Sequence, residues 1–100
     1  MGGRTSSDFV ETVRNAGDIV RVISDYVPLK AAGSRMKGLC PFHEEKTPSF
    51  SVDPGAQLFY CFGCQTGGDL FKFVMLYEKV GFREAVELLA GRFGIPVPTT

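Results

Sequence analysis

The segment CPFHEEKTPSF, residues 40–50, sets a cysteine, a histidine, three charged side chains and two phenylalanines within eleven positions. Cys40-Pro-Phe-His43 places two metal-competent side chains with two residues between them. The same spacing returns in Cys61-Phe-Gly-Cys64 after an interval of seventeen residues. Two such clamps at this separation are a strong zinc signal. The spacing has a physical reason. A tight turn lets both side chains of a clamp converge on one ion, with Zn–S near ~2.3 Å and Zn–N near ~2.0–2.1 Å. Gly63 lets backbone amides turn toward the sulfurs without a Cβ in the way, and Pro41 stiffens the first clamp. The chain has three cysteines and one histidine, and all four stand in these clamps.

Other readings of the same residues explain less. A lone cysteine is usually a small core residue, and a lone histidine a satisfied polar group, but neither accounts for four of them at ligand spacing. Cys40 as a nucleophile activated by His43 leaves Cys61 and Cys64 unused and supplies no orienting third group. A redox pair at Cys61 and Cys64 lacks the βαβ context such pairs prefer. Four protein ligands (Cys40, His43, Cys61, Cys64) fill a tetrahedral shell and leave no open position. The zinc is therefore expected to be structural and to contribute directly to folding.

Outward from the clamps, 100 residues with 44% hydrophobic content and nine phenylalanines suit one domain with a real core. A domain of this size buries roughly 60–65% of its unfolded surface, so a metal staple would help it. Eleven basic and eleven acidic residues cancel, which excludes a polycation and leaves any nucleic-acid partner to a local patch. The start, MGGRTSSDFV, lacks the apolar run of a signal peptide, and no stretch approaches 18 apolar residues. The expected location is the cytosol, where cysteines are more often thiolates or metal ligands than disulfides.

Asp8, with Glu11 three residues on, is expected to cap a short helix burying Phe9, Val10 and Val13 and ending at Gly17. Asp18 caps a second, with Ile19, Val22 and Ile23 on one stripe and Pro28 as its end. Between residues 28 and 63, Gly and Pro separate short apolar pieces, VPLK, RMKGLC, PSFSV and QLFYCF, a rhythm of antiparallel strands and tight turns. Asp53-Pro-Gly55 is a turn signal. Asp69 then caps a helix carrying Leu70, Phe73, Val74 and Tyr77 that Gly81 ends. A last helix follows, with Phe82, Val86, Leu89 and Phe93 on one face and Gly94 as its C′ residue. The expectation is an α+β fold, a small antiparallel sheet flanked by short helices, forming a single domain over residues 1–94. IPVPTT, residues 95–100, reads as the start of a linker.

The runs KGLCPFHEEKTPSFSV (37–52), FYCFGC (59–64), GGDLFKF (67–73) and FREAVELLA (82–90) resemble the N-terminal zinc-binding domain of bacterial DnaG-type primases, and the similarity extends from Phe9 to Gly94. The resemblance implies a zinc ribbon with a Cys-His-Cys-Cys site at Cys40, His43, Cys61 and Cys64. It implies a module that engages single-stranded template DNA within an enzyme of the replisome that synthesises short RNA primers. It also implies that nucleotidyl transfer, with Mg²⁺-binding carboxylates, resides in a separate polymerase domain, and that helicase docking resides in a C-terminal domain. This chain carries no paired acids that suggest catalysis. Three departures stand out: Gln65 where the family usually has Gly, Met36 where an aromatic is common, and RTSS near the start in place of Arg-Ile-Pro.

Lys30, Arg35 and Lys37 lie in a stretch, residues 30–39, that contains no acid. On a strand Arg35 and Lys37 share one face, which Lys30 joins if the register allows. Phosphates need such cations, and exposed aromatics offer stacking surfaces to unpaired bases. Of Phe59 and Tyr60, which point to opposite faces, Tyr60 is expected outside. Lys46 sits beside Glu44 and Glu45 and is largely offset. Phe42 and Phe50 are expected to pack around the metal site. The plainer reading makes the cations a solvated face and the aromatics core. A functional alternative makes the chain a structural zinc ribbon whose sheet contacts protein within the replisome, such as its own or a neighbouring polymerase domain.

Overall fold

The computed structural model describes residues 7–42 and 49–97. Helices α1 (Ser7–Ala16) and α2 (Ile19–Ser24) precede five strands, β1 (Lys30–Ala32), β2 (Arg35–Gly38), β3 (Phe50–Asp53), β4 (Leu58–Cys61) and β5 (Thr66–Gly68). Helices α3 (Leu70–Glu78) and α4 (Phe82–Phe93) follow. The strands form one antiparallel meander in chain order, β1-β2-β3-β4-β5. An α+β fold with a small antiparallel sheet flanked by helices is what the sequence led us to expect. Among the described residues no helix is long and apolar enough to cross a membrane.

The helices pack on one face of the sheet. Phe50 and Val52 of β3 and Phe59 of β4 meet Ile19, Val22 and Ile23 of α2 and Leu70, Phe73 and Val74 of α3. Val13, Val86 and Leu89 close the far side of the same core. Phe73 stands at its centre, with ring centroids 5.5 Å from Phe42, 6.1 Å from Phe50 and 5.6 Å from Phe59. The alternation of burial on β4, exposed then buried through Leu58, Phe59, Tyr60 and Cys61, follows from the two-residue period of a half-buried strand.

Polar contacts fix how the helices meet the sheet. Asp18 caps α2 by accepting from the Val20 amide at 2.9 Å, and the Gln57 side chain accepts from the Ile19 amide at 2.9 Å. The β3–β4 turn is thereby tied to the start of α2. Gln57 adopts φ 57° to reach it. Asp69 caps α3 through the Lys72 amide at 2.9 Å and accepts from Arg14 of α1 at 2.9 Å. The Arg14 guanidinium also lies 4.8 Å from the centre of the Phe71 ring.

Several boundaries differ from the sequence reading, each for a local reason. Helix α1 includes Ser7, so Asp8 lies in its first turn, where its charge suits the helix dipole. Helix α2 stops at Ser24, well before Pro28, as Asp25 and Tyr26 turn their amides back onto Val22 and Ile23. Helix α3 stops at Glu78. Lys79, at φ 60°, takes the left-handed cap position, and Gly81 instead precedes α4. Gly94 does cap α4 at φ 73°, and Ile95 packs against the core. Strand β5, Thr66-Gly-Gly68, was not expected, because Gly67-Gly68 reads as a break.

Candidate metal centre and outer sheet face

The two clamps meet at one end of the sheet. The register aligns Gly38, Phe50, Cys61 and Thr66 in one row across β2 to β5. Cys40 follows β2 by two residues, Cys61 ends β4, and Cys64 lies in the turn to β5. That turn closes with the Gln65 amide donating to the Cys61 carbonyl at 2.7 Å. The three sulfurs lie within 4.8 Å of one another, and Cys40 Sγ is 3.8 Å from Cys64 Sγ. Around a tetrahedral ion with bonds of ~2.3 Å, two sulfurs stand roughly 3.8 Å apart. Three thiols at this spacing fit a soft divalent ion with one position to fill. His43 lies outside the described residues, as do Glu44, Glu45 and Lys46.

The surroundings of Cys61 suit a thiolate, whereas those of Cys40 disfavour one until a metal displaces its proton. The Phe42 amide donates to Cys40 Sγ at 3.4 Å, and Ser49 Oγ lies 3.7 Å from Cys61 Sγ. Burial pushes the Cys40 thiol up to about 12 despite the Phe42 amide. Burial acts to raise Cys61 as well, but hydrogen bonds from the Cys64 amide, Ser49, Cys40 and the Gly63 amide outweigh it and bring the group down to about 7. The Gly63 amide thus faces the Cys61 sulfur. Gln65 takes φ 60°, the left-handed region that favours glycine, which accounts for the glycine usual at this position in the family it resembles.

The opposite face of the sheet turns to solvent. Register pairs Lys30 with Lys37, Lys37 with Ser51, Ser51 with Tyr60 and Tyr60 with Gly67, one row across all five strands. Directly paired residues share a face, so Lys30 does join Lys37, and Arg35 stands two residues along the same side. Tyr60 is 39% exposed and Phe59 is 2% exposed, as expected from their alternation. Phe62, 60% exposed, meets the Tyr60 ring edge-on at 4.9 Å. The acid-free appearance of residues 30–39 does not survive folding intact, since Asp53 of β3 comes within 3.7 Å of Arg35. Phe42 and Phe50 pack together near the cysteines, centroids 6.4 Å apart, as anticipated. Sequence reasoning missed Ser51 and Gln57. Strand alternation through β3 puts Ser51 on the outer face but does not foretell its burial there, and Gln57 has no short-range signal.

Residues 5–100 match the CHC2 zinc finger family. The chain belongs to that family. This CHC2 zinc finger is 52% identical over 96 residues to the DNA primase of Streptomyces coelicolor and 50% identical over 95 residues to that of Geobacillus stearothermophilus. In each case 95% of the chain is covered. It spans only 15% and 16% of the length of those two relatives. In structure it is similar to the zinc-binding portion of the Aquifex aeolicus primase, solved with its RNA polymerase domain. The TM-score is 0.86 at 45% identity, over 95% of this chain and 23% of that one. Sequence and fold together make this CHC2 zinc finger a primase-type zinc-binding domain, as the resemblance implied.

Proposed function

We propose that this chain is the template-engaging module of a DNA primase. One zinc held by Cys40, His43, Cys61 and Cys64 staples its sheet, and the outer face of the sheet holds single-stranded DNA through Lys30, Arg35, Lys37 and Tyr60. The observation that carries this reading is the single row from Lys30 through Lys37 to Tyr60, with cations at one end and exposed aromatics at the other. Cations suit the phosphates of a strand, and Tyr60 with Phe62 offers faces for its bases. In this reading the parent enzyme makes short RNA primers, with Mg²⁺ bound in a polymerase domain that works with this module. A replicative helicase is engaged by a further domain, and the whole acts in the cytoplasm at the replisome. Residues 1–94 form the module, and 95–100 begin the linker.

Two expected results follow here. With three phosphate contacts, affinity for a short single strand falls with salt at a log–log slope of about −2, from roughly 0.7 per contact. Arg35→Ala with Lys37→Ala brings the slope near −0.7 and weakens binding at low salt, readable by fluorescence anisotropy. An unchanged slope would remove this face from the reading. The second result concerns pH. Zinc must displace the Cys40 proton at any pH below about 12 and the Cys61 proton below about 7. Metal affinity therefore rises with pH, by at least about one decade per unit above neutrality and at least about two below it. Chelator competition across this range measures the slope, and a flat profile would contradict thiol ligation.

A further inference from the structure

Ser51 is the one polar residue in the buried set, 2% exposed, and its Oγ has no hydrogen-bond partner among the described residues. Buried hydroxyls are rarely left so, and each case asks for an explanation. By register Ser51 lies on the outer face, between Lys37 of β2 and Tyr60 of β4. It forms part of a groove of ≈ 530 Å³ that Arg35, Asp53, Tyr60, Gln65 and Gly67 also line. Gly67 shapes this groove. A Cβ there would stand 2.7 Å from Tyr60 Cδ1 and 2.8 Å from the Phe59 carbonyl, so only glycine lets the tyrosine ring lie across β5. Gln65 holds its strained φ of 60° at the same rim.

The lining selects the ligand. Among the described residues Arg35 is the only cation lining it, already within 3.7 Å of Asp53, and that carboxylate disfavours an anion inside the groove. What fits is neutral and flat, with polar atoms along one edge and an aromatic face. The Ser51 hydroxyl and the Gln65 amide each offer a donor and an acceptor, and the Tyr60 ring offers a stacking wall. We propose that this groove is a base pocket. One unpaired nucleobase of the bound strand lies beside Tyr60, with its polar edge on Ser51 and Gln65. Lys37 and Tyr60 flank Ser51, and both are exposed; in this proposal the Lys37 side chain turns aside to admit the base, while the Tyr60 ring stays as its wall. The proposal rests on the template-engaging reading above and adds to it the side chains that sense base identity.

The test uses the zinc-loaded chain, short strands of dA, dC or dT, and an abasic strand of equal length. Ser51→Ala is expected to weaken binding of the best-bound homopolymer about fivefold to tenfold, the effect of one hydrogen bond. Affinity for the abasic strand stays unchanged, and the melting temperature is equal or higher, because an unpartnered hydroxyl is removed. If the variant lost its fold, Gln65→Ala carries the same comparison from the exposed rim. Equal affinities for wild type and variant on every strand would overturn the pocket while leaving the template reading intact. So would an equal loss on the abasic strand. Absence of any salt-sensitive strand binding by the wild type would overturn the template reading, and the pocket with it.

Discussion

Replacing Cys61 with serine is expected to abolish stoichiometric zinc and, with it, cooperative unfolding. Structural zinc sites contribute about 10–16 kcal/mol of apparent binding free energy at neutral pH, while a whole domain is stable by only about 5–15 kcal/mol. Cys61 is completely buried, ends strand β4, and sits within 4.8 Å of both other sulfurs. A serine hydroxyl does not ionise near neutrality, so it cannot take the place of a thiolate that the surrounding amides hold at about 7. Losing this ligand also frees Cys40 and Cys64, which lie on separate loops, so the β2–β3 and β4–β5 connections come apart together. Metal analysis and thermal melts of the variant check this. A native-like melt with well under one zinc per chain would show that the apolar core suffices without the staple.

The second large effect is expected away from the metal. Phe73→Ala should cost about 3–5 kcal/mol, the usual range for a buried phenylalanine. Phe73 has no exposed surface, and its ring lies 5.5 to 6.1 Å from those of Tyr26, Phe42, Phe50 and Phe59, with Tyr77 stacked at 5.7 Å. It joins α3 to the turn after α2 through Tyr26 and to the inner face of β3 and β4, so the space it vacates cannot be filled from one side. Urea unfolding of the zinc-loaded variant measures the loss, with zinc stoichiometry retained. A loss below about 1 kcal/mol would place the centre of the core elsewhere.

Much of this was legible along the chain because the decisive signals are local. Asp18, Asp69 and Gly94 announce helix ends by their own chemistry, and two clamps of fixed spacing announce a metal whatever the intervening fold. Alternation through Leu58-Phe-Tyr-Cys61 placed Phe59 inward and Tyr60 outward. What stayed hidden depends on distant partners. Thr66-Gly-Gly68 pairs as a strand only because β4 offers its edge, a fact that glycine content conceals. Lys79 takes a left-handed cap in preference to the nearby Gly81. Asp53 faces Arg35 only once β2 and β3 pair, so the local charge of residues 30–39 overstates what a strand would meet. Ser51 looks like an ordinary strand residue until both its cross-strand neighbours, Lys37 and Tyr60, are in place. Spacing alone proposes His43 for the fourth position, and it lies outside the described residues.

The most direct test of the account is the footprint of a short single strand on the zinc-loaded chain, read as backbone amide shifts in a ¹⁵N NMR titration. The expected shifts lie on β1, β2 and β4, around Lys30, Arg35, Lys37 and Tyr60, and they diminish as salt is raised. Shifts centred instead on the exposed apolar residues of the helices, Leu76, Phe82 and Leu88, or no shift at all, would contradict it.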